Sequence, residues 1–281
     1  MKKTAIAFLP LLFAGFILPD DSCRQNTIPM ASNVSQNDGP YVLYRNDKIY
    51  VKYILENKGV NTAKQDSMAL TEKGNISLTV QTDEPDKTFT VKLKSQSQLQ
   101  NEEAEFANVN KLFILSDIEG NFRAFRKLLQ ANKVIDQNFN WTFGKGHLVL
   151  TGDFFDRGDQ VTEVLWLIYS LEEKAKAAGG YVHFVLGNHE IMNLSGDIRY
   201  VVPKYFQNAA LINENYMSLF SENSELGRWL RTKNIMEKVG DILFMHGGIS
   251  GAVNSMNIPV SELSNLARPF YADSTYKYNN A

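Results

Sequence analysis

Hydrophobic positions fall into three regimes along the chain. Residues 4–18 are apolar almost throughout, follow Lys2 and Lys3, and are interrupted by Pro10. Between residues 41 and 94 the apolar runs are short and loosely alternating, at 41–45, 48–55, 75–81 and 88–93. Asn46-Asp47, Lys58-Gly59 and Glu84-Pro85-Asp86 separate them, so this stretch predicts strands joined by tight turns. From Val109 onward continuous apolar runs alternate with helical spacing. Lys111-Leu112-Phe113-Ile114-Leu115 has the composition of a strand buried on both faces. Phe122, Phe125 and Leu129 then recur on one side of a helix. Residues 147–150 and 181–186 predict two more strands. Between them Val161, Val164, Leu165, Ile168 and Leu171 fall at i, i+3, i+4, i+7 and i+10, the pattern of an amphipathic helix. Residues 235–239 and 242–245 predict a strand pair turning at Gly240-Asp241.

Strands alternating with helices indicate a layered α/β domain. It occupies residues 109–281. A polar linker at 95–108 precedes it, then a small β-rich segment at 41–94 and a polar tether at 24–40. Residues 1–23 have the layout of a secretory signal, with a basic start, an apolar middle and polar residues at once after it. The apolar stretch is shorter than the ~20 residues that span a bilayer. The expectation is an exported protein, periplasmic or lipid-anchored to the cell envelope. Cys23, preceded by Ser22, is the candidate for lipidation, although Asp20 and Asp21 depart from a lipobox; the alternative is a cysteine lost with the signal.

Composition narrows the chemistry. The 281 residues are 44% hydrophobic and 21% charged, with a net charge of −2. That balance gives no electrostatic case for nucleic acid as a partner. Cys23 is the single cysteine, so neither an internal disulfide nor a cysteine-zinc cluster can form. Four histidines, His147, His183, His189 and His246, are all that a metal site could use. His147 and His183 lie in strands outside the polar motifs and read as structural or surface groups.

Four of the predicted strands end in polar residues of one kind: Asp117-Ile118-Glu119-Gly120, Gly152-Asp153-Phe154-Phe155-Asp156-Arg157-Gly158, Gly187-Asn188-His189-Glu190 and His246-Gly247-Gly248. Active sites of α/β sheets lie where C-terminal strand ends open into loops, so these groups are expected to converge. Crowded carboxylates repel unless a cation compensates. Mixed oxygen and nitrogen donors suit first-row divalent ions, and two such ions can clamp a phosphoryl group. Taken alone, Asp153 and Asp156 read better as helix caps and His246 as a core histidine; the convergence of the motifs reverses both readings.

These motifs resemble the calcineurin-like metallophosphoesterases, in particular the phosphoprotein-phosphatase branch and its Shewanella-like relatives. Gly152–158 matches GDxxDRG, 187–190 matches GNHE, and 246–248 matches HGG; residues 193–200 are a softer match to the Shewanella-like branch. The resemblance implies an α/β metallophosphoesterase sandwich, with mixed sheets flanked by helices. It implies two divalent metal ions (Mn, Fe, Zn or Mg), held by Asp117, Glu119, Asp153, Asn188 and His246, with Asp153 bridging. It implies His189 as general acid, oriented by Asp156, and a phosphate bound by Arg157, Asn188 and Arg199. The reaction so implied is hydrolysis of a phosphomonoester, including phosphoprotein, by a metal-bound hydroxide. Two features depart from the family. Glu119 stands where a histidine is usual, a harder oxygen ligand that favours Mn or Mg over Zn, with Mn the expected metal; the alternative for Glu119 is an exposed acid at a helix start. No Gly-His motif follows His246, so against the family pattern the domain reads either as incomplete at its C-terminus or as lacking a full second-metal shell. The other functional readings are a dinucleoside polyphosphate hydrolase and a non-catalytic phosphate-binding relative at the cell envelope. Glu190 reads as a supporting acid rather than a ligand.

Overall fold

The computed structural model describes residues 37–275, so the expected signal, the candidate lipidation site at Cys23 and most of the expected tether lie outside the described residues. The chain opens with an antiparallel meander, β1 (Asp38–Arg45), β2 (Lys48–Asn57) and β3 (Val60–Ala69). The β1–β2 register closes at Arg45 opposite Lys48. The two turn residues, Asn46 and Asp47, both have positive φ (46° and 60°), as a two-residue turn with the twist of its strands requires. Lys58-Gly59 repeats the device between β2 and β3. A second hairpin, β4 (Ser77–Gln81) and β5 (Thr88–Lys92), turns around Glu84-Pro85-Asp86. Its strands alternate buried and exposed positions, one face to the core and one to solvent.

Strand β3 has no counterpart in the sequence reading. Its residues, VNTAKQDSMA, are exposed almost throughout. It is held by its ladder to β2, in register from Lys48–Ala69 to Asn57–Val60, and carries no hydrophobic period to betray it.

The α/β part follows the expected order. After the short β6 (Glu105–Phe106) come β7 (Leu112–Leu115), β8 (His147–Leu150) and β9 (Tyr181–Phe184), a parallel sheet in the order β7-β8-β9. Helix α1 (Phe122–Ala131) connects β7 to β8, and α2 (Val161–Ala177) connects β8 to β9. Beyond β9 the chain forms α3 (Asn188–Ser195), α4 (Pro203–Leu211) and α5 (Glu225–Arg231), with a 3-10 turn at Tyr216–Phe220 between the last two. The hairpin of β10 (Met236–Val239) and β11 (Ile242–Met245) turns at Gly240 and pairs in parallel with β6. Helices α6 (Gly251–Ser255) and α7 (Val260–Ala267) complete the described chain. The fold is thus the mixed α/β layering expected from the sequence.

Two expectations change. Helix α2 is not amphipathic: Val161 to Leu171 is buried at every position. One side packs on β9 and the other on β1, β4 and β5, so the β-rich segment shares a single core with the α/β part; Tyr41, Phe89 and Trp166 belong to one apolar cluster. Trp166 Nε1 donates to Pro40 O at 2.8 Å, and Lys94 N to the Tyr169 hydroxyl at 2.6 Å. Second, β7 is not buried on both faces. It is an edge strand, and Ile114 is 49% exposed. The far side of the sheet carries only a small cluster of Val149, Val185, Val239 and Phe244.

Candidate metal centre and active site

The loops after β7 and β8 interlock through their backbones, the loop after β9 packs against them, and the loop after β11 joins them through the His246 side chain. Asp117 N donates to Gly152 O at 3.0 Å, Glu119 N to Asp153 O at 3.0 Å, and Gly120 N to Phe154 O at 2.9 Å. The loops pack back to back with no room for a side chain between them. A Cβ on Gly187 would lie 2.3 Å from Asp153 Oδ1, and one on Gly152 would lie 2.5 Å from Gly187 N. Asp117, Glu119, Asp153, Asp156 and Arg157 all adopt positive φ, between 48° and 66°. Non-glycine residues in this region are uncommon, and the strain of such positions concentrates at functional sites.

One side chain holds the central loop in place. Glu190 is fully buried and accepts amide hydrogens from Asp153 (2.9 Å), Phe154 (2.7 Å), Phe155 (3.3 Å) and Gly187 (2.7 Å). Burial raises its carboxyl above the ordinary range, against the pull of these amides. Its role as a supporting acid agrees with the sequence reading.

Asp117, Asp153 and His246 bring one ligand atom each to within 4.8 Å of one another. His246 Nδ1 lies 2.8 Å from Thr151 O. A carbonyl can only accept, so Nδ1 carries a hydrogen. Nε2, 3.0 Å from Asp153 Oδ2, is a donor to that carboxylate in the charged ring and a ligating lone pair in the neutral one. A carbonyl behind the ring is the usual support of a metal-binding histidine. Asn188, exposed at the start of α3, lines the same opening as His246. The donor set therefore fits a divalent ion. Glu119 stands apart from this trio: its carboxylate is paired with Arg157.

His189 lies beside the trio and is 2% exposed. Its backbone N–H donates to Asp153 Oδ1 at 3.1 Å. Its Nδ1 is 2.6 Å from Asp156 Oδ2, and its Nε2 is 3.9 Å from Asp153 Oδ2. Burial raises the Asp156 carboxyl, opposed by its bonds to Asn193 and His189. Sequence reasoning missed the next members of this line. Asn193 Nδ2 donates to Asp156 Oδ1 at 3.0 Å and to His189 O at 2.9 Å, and Tyr216 donates to Asn193 Oδ1 at 2.5 Å. Asn193 was legible as the residue one turn beyond His189 on α3; Tyr216 left no signal.

Of the two candidate phosphate-binding arginines, Arg157 is half exposed at the rim, with its guanidinium 5.2 Å from the Tyr200 ring centroid. Arg199, beside the same ring at 5.9 Å, is held by both oxygens of Asp197 at 2.9 and 2.5 Å. From Asn188 and His246 an apolar cavity of about 920 Å³ extends past Ile191, Met245, Leu263 and Phe270.

The calcineurin-like phosphoesterase model matches residues 111–278, and the chain belongs to that family, whose members depend on metal ions. Within it the likeness is to the Shewanella-like branch. The chain is 31% identical over 178 residues to Shewanella-like protein phosphatase 1 of Plasmodium berghei, covering 60% of this chain and 49% of that protein. It is 36% identical over 102 residues to Shewanella-like protein phosphatase 2 of Arabidopsis thaliana, covering 36% and 26%. The crystal structure of a cold-active protein-tyrosine phosphatase from a psychrophilic Shewanella superposes with a TM-score of 0.74 at 38% identity, covering 85% of this chain and 69% of that one. The chain spans about half or less of the length of these curated relatives.

Proposed function

We propose that this chain is an exported, metal-dependent phosphatase that hydrolyses phosphomonoesters. The observation that carries the reading is the His189–Asp156 pair set against the Asp117, Asp153 and His246 trio. A binding module needs no oriented proton donor. Here the Asp156 carboxylate takes the Nδ1 hydrogen of His189, stabilises the ring when it is charged, and leaves the Nε2 hydrogen for the departing oxygen of the ester. Asp117, Asp153, Asn188 and His246 would hold divalent cations, of which Mn suits the oxygen-rich set. Such ions would supply Lewis acidity and an acidified water. Arg157 offers a planar fork to the phosphoryl oxygens, once released from Glu119. The apolar cavity beside Asn188 and His246 favours an ester with an aryl or other apolar leaving group, and the name of the Shewanella neighbour supports a phosphotyrosine substrate. Export rests on the pattern of residues 1–23, and the lipid anchor on Cys23.

The test is turnover of p-nitrophenyl phosphate and glycerol phosphate by the full chain with added Mn. The reading expects the aryl ester to be preferred, and His189→Ala and Asp153→Asn each to abolish turnover. Tight Mn binding without any turnover would show a non-catalytic relative instead. A second reading has its own support: the symmetrical bis(5'-nucleosyl)-tetraphosphatase of Buchnera aphidicola is 29% identical over 143 residues, covering 49% of this chain and 44% of that protein. Cleavage of a dinucleoside tetraphosphate faster than of either monoester would favour it.

A further inference from the structure

At the opposite end of the β7-β8-β9 sheet, three ionisable side chains form an unbroken hydrogen-bonded line. His147 opens β8, whose other end leads to Asp153. Its Nδ1 lies 2.8 Å from His183 Nε2, and His183 Nδ1 lies 2.6 Å from Glu237 Oε2. His183 and Glu237 are 0% exposed, whereas His147 is partly exposed. Asn234 Nδ2 steadies the other carboxyl oxygen at 3.0 Å, and Phe106 meets the His183 ring edge-on at 4.5 Å. His147 also lines a cavity of about 410 Å³, together with Lys111, Lys145, Asn108 and Asn110. Among the described residues no carboxylate lines that cavity.

Each gap in the line holds one hydrogen, so the whole line has two neutral-ring arrangements. With Glu237 ionised, His183 donates from Nδ1 to the carboxylate, His147 donates from Nδ1 to His183 Nε2, and His147 Nε2 is left with a bare lone pair. Adding one proton at His147 Nε2 and moving both shared hydrogens one place towards Glu237 gives a protonated carboxyl. Both rings stay neutral, and His147 Nε2 becomes an N–H donor. Neither of these two arrangements leaves a charged imidazole in the interior, where an isolated charge is costly.

The surroundings favour this pair of states. Burial pulls His183 down to about 3, and burial together with His183 pulls His147 down to about 4, so both rings are neutral near pH 7. Burial pushes Glu237 up to about 7; Asn234, Lys233 and Arg268 oppose the rise and Glu172 adds to it. Facing His147 are Lys111, whose Nζ lies 3.7 Å over the Phe143 ring, Lys145, and the Tyr181 ring at 5.9 Å.

We propose that His147, His183 and Glu237 form a proton wire, and that the pocket at its outer end binds a small oxyanion, taking up one proton as His147 Nε2 turns from acceptor to donor. Lys111 and Lys145 supply charge, and the two asparagine amides and His147 supply directed donors. This site is separate from the proposed active site and shares no residue with it.

Sulfate is the suitable probe, because it has no proton to exchange near neutrality. Titrated into the full chain at pH 8, in two buffers of different protonation enthalpy, it is expected to bind with uptake of one proton. Lys145→Gln, at an exposed position, is expected to weaken binding about tenfold while leaving p-nitrophenyl phosphate turnover unchanged. Glu237→Gln is expected to bind sulfate without proton uptake; should that buried change prevent folding, His147→Gln on the partly exposed ring gives the same readout. Absence of sulfate binding, binding with no proton uptake by the parent, or binding unaffected by Lys145→Gln would each overturn the proposal.

Discussion

Asn193 Nδ2 donates to Asp156 Oδ1 at 3.0 Å, so the carboxylate that orients His189 is itself gripped from behind. Tyr216, from the 3-10 turn between α4 and α5, fixes the Asn193 amide in turn. Groups that orient a working side chain in this way typically cost 10–100-fold when removed. Asn193→Ala is therefore expected to lower kcat roughly 10–100-fold, with KM little changed. Tyr216→Phe, which leaves the amide in place, is expected to cost less. Steady-state kinetics on both, with circular dichroism to confirm folding, checks this. A loss confined to KM would show that the line does not act through His189.

The glycines of the interlocked loops give a paired prediction. A methyl group on Gly187 would meet Asp153 Oδ1 at 2.3 Å and Asp153 N at 2.7 Å, whereas one on Gly247 meets nothing within 4 Å. Gly187→Ala must move the Asp153 loop and is expected to lose most of its bound Mn. Gly247→Ala is expected to keep it. Metal content after dialysis distinguishes them, and equal retention would mean that the loops yield more easily than their packing suggests.

Much of this was legible in the sequence where burial imposes a pattern. The strands β7, β8, β9 and β11 announce themselves as largely apolar runs, and the polar residues at their ends mark the site. The solvent-exposed β3 did not, because its stability lies in backbone pairing with β2. Helix α2 misled for a related reason: periodicity shows where the largest residues sit, but not that a second layer from residues 41–94 covers the other side. At the site, Asp117, Asp153 and His246 meet as their strand ends implied. The partnership of Glu119 with Arg157, the Asn193–Tyr216 extension and the His147–His183–Glu237 line depend on side-chain directions that one sequence does not encode visibly.

Glu163 is 4% exposed, and its Oε2 has no hydrogen-bond partner among the described residues. Burial pushes its carboxyl from 4.5 up to about 8, opposed mainly by Lys204. The folded protein thus holds a proton that the unfolded chain releases between those two values. Stability contributed through this group falls as pH rises across that window. Glu163→Gln removes the ionisation and is expected to match the parent near pH 5 but to melt at a higher temperature at pH 9. Thermal unfolding at both values tests it, and an unchanged difference across the range would show that Glu163 does not titrate with folding.

Asp153 and Glu119 are expected to separate cleanly in metal affinity. Asp153 presents Oδ2 to His246 Nε2 at 3.0 Å and Oδ1 to the His189 amide, at the centre of the trio. Glu119 is partly exposed and bound to Arg157 at the rim. Asp153→Asn replaces a charged ligand oxygen by a neutral amide and should abolish tight Mn binding. Glu119→Gln should leave most of the affinity and act on Arg157 instead. Freed of its counter-charge, the guanidinium meets phosphate more readily, so KM for an aryl phosphate should fall. Calorimetric Mn titration and steady-state kinetics on the two variants decide the matter. Equal losses of metal affinity would place Glu119 among the ligands and remove the distinction drawn from its pairing with Arg157.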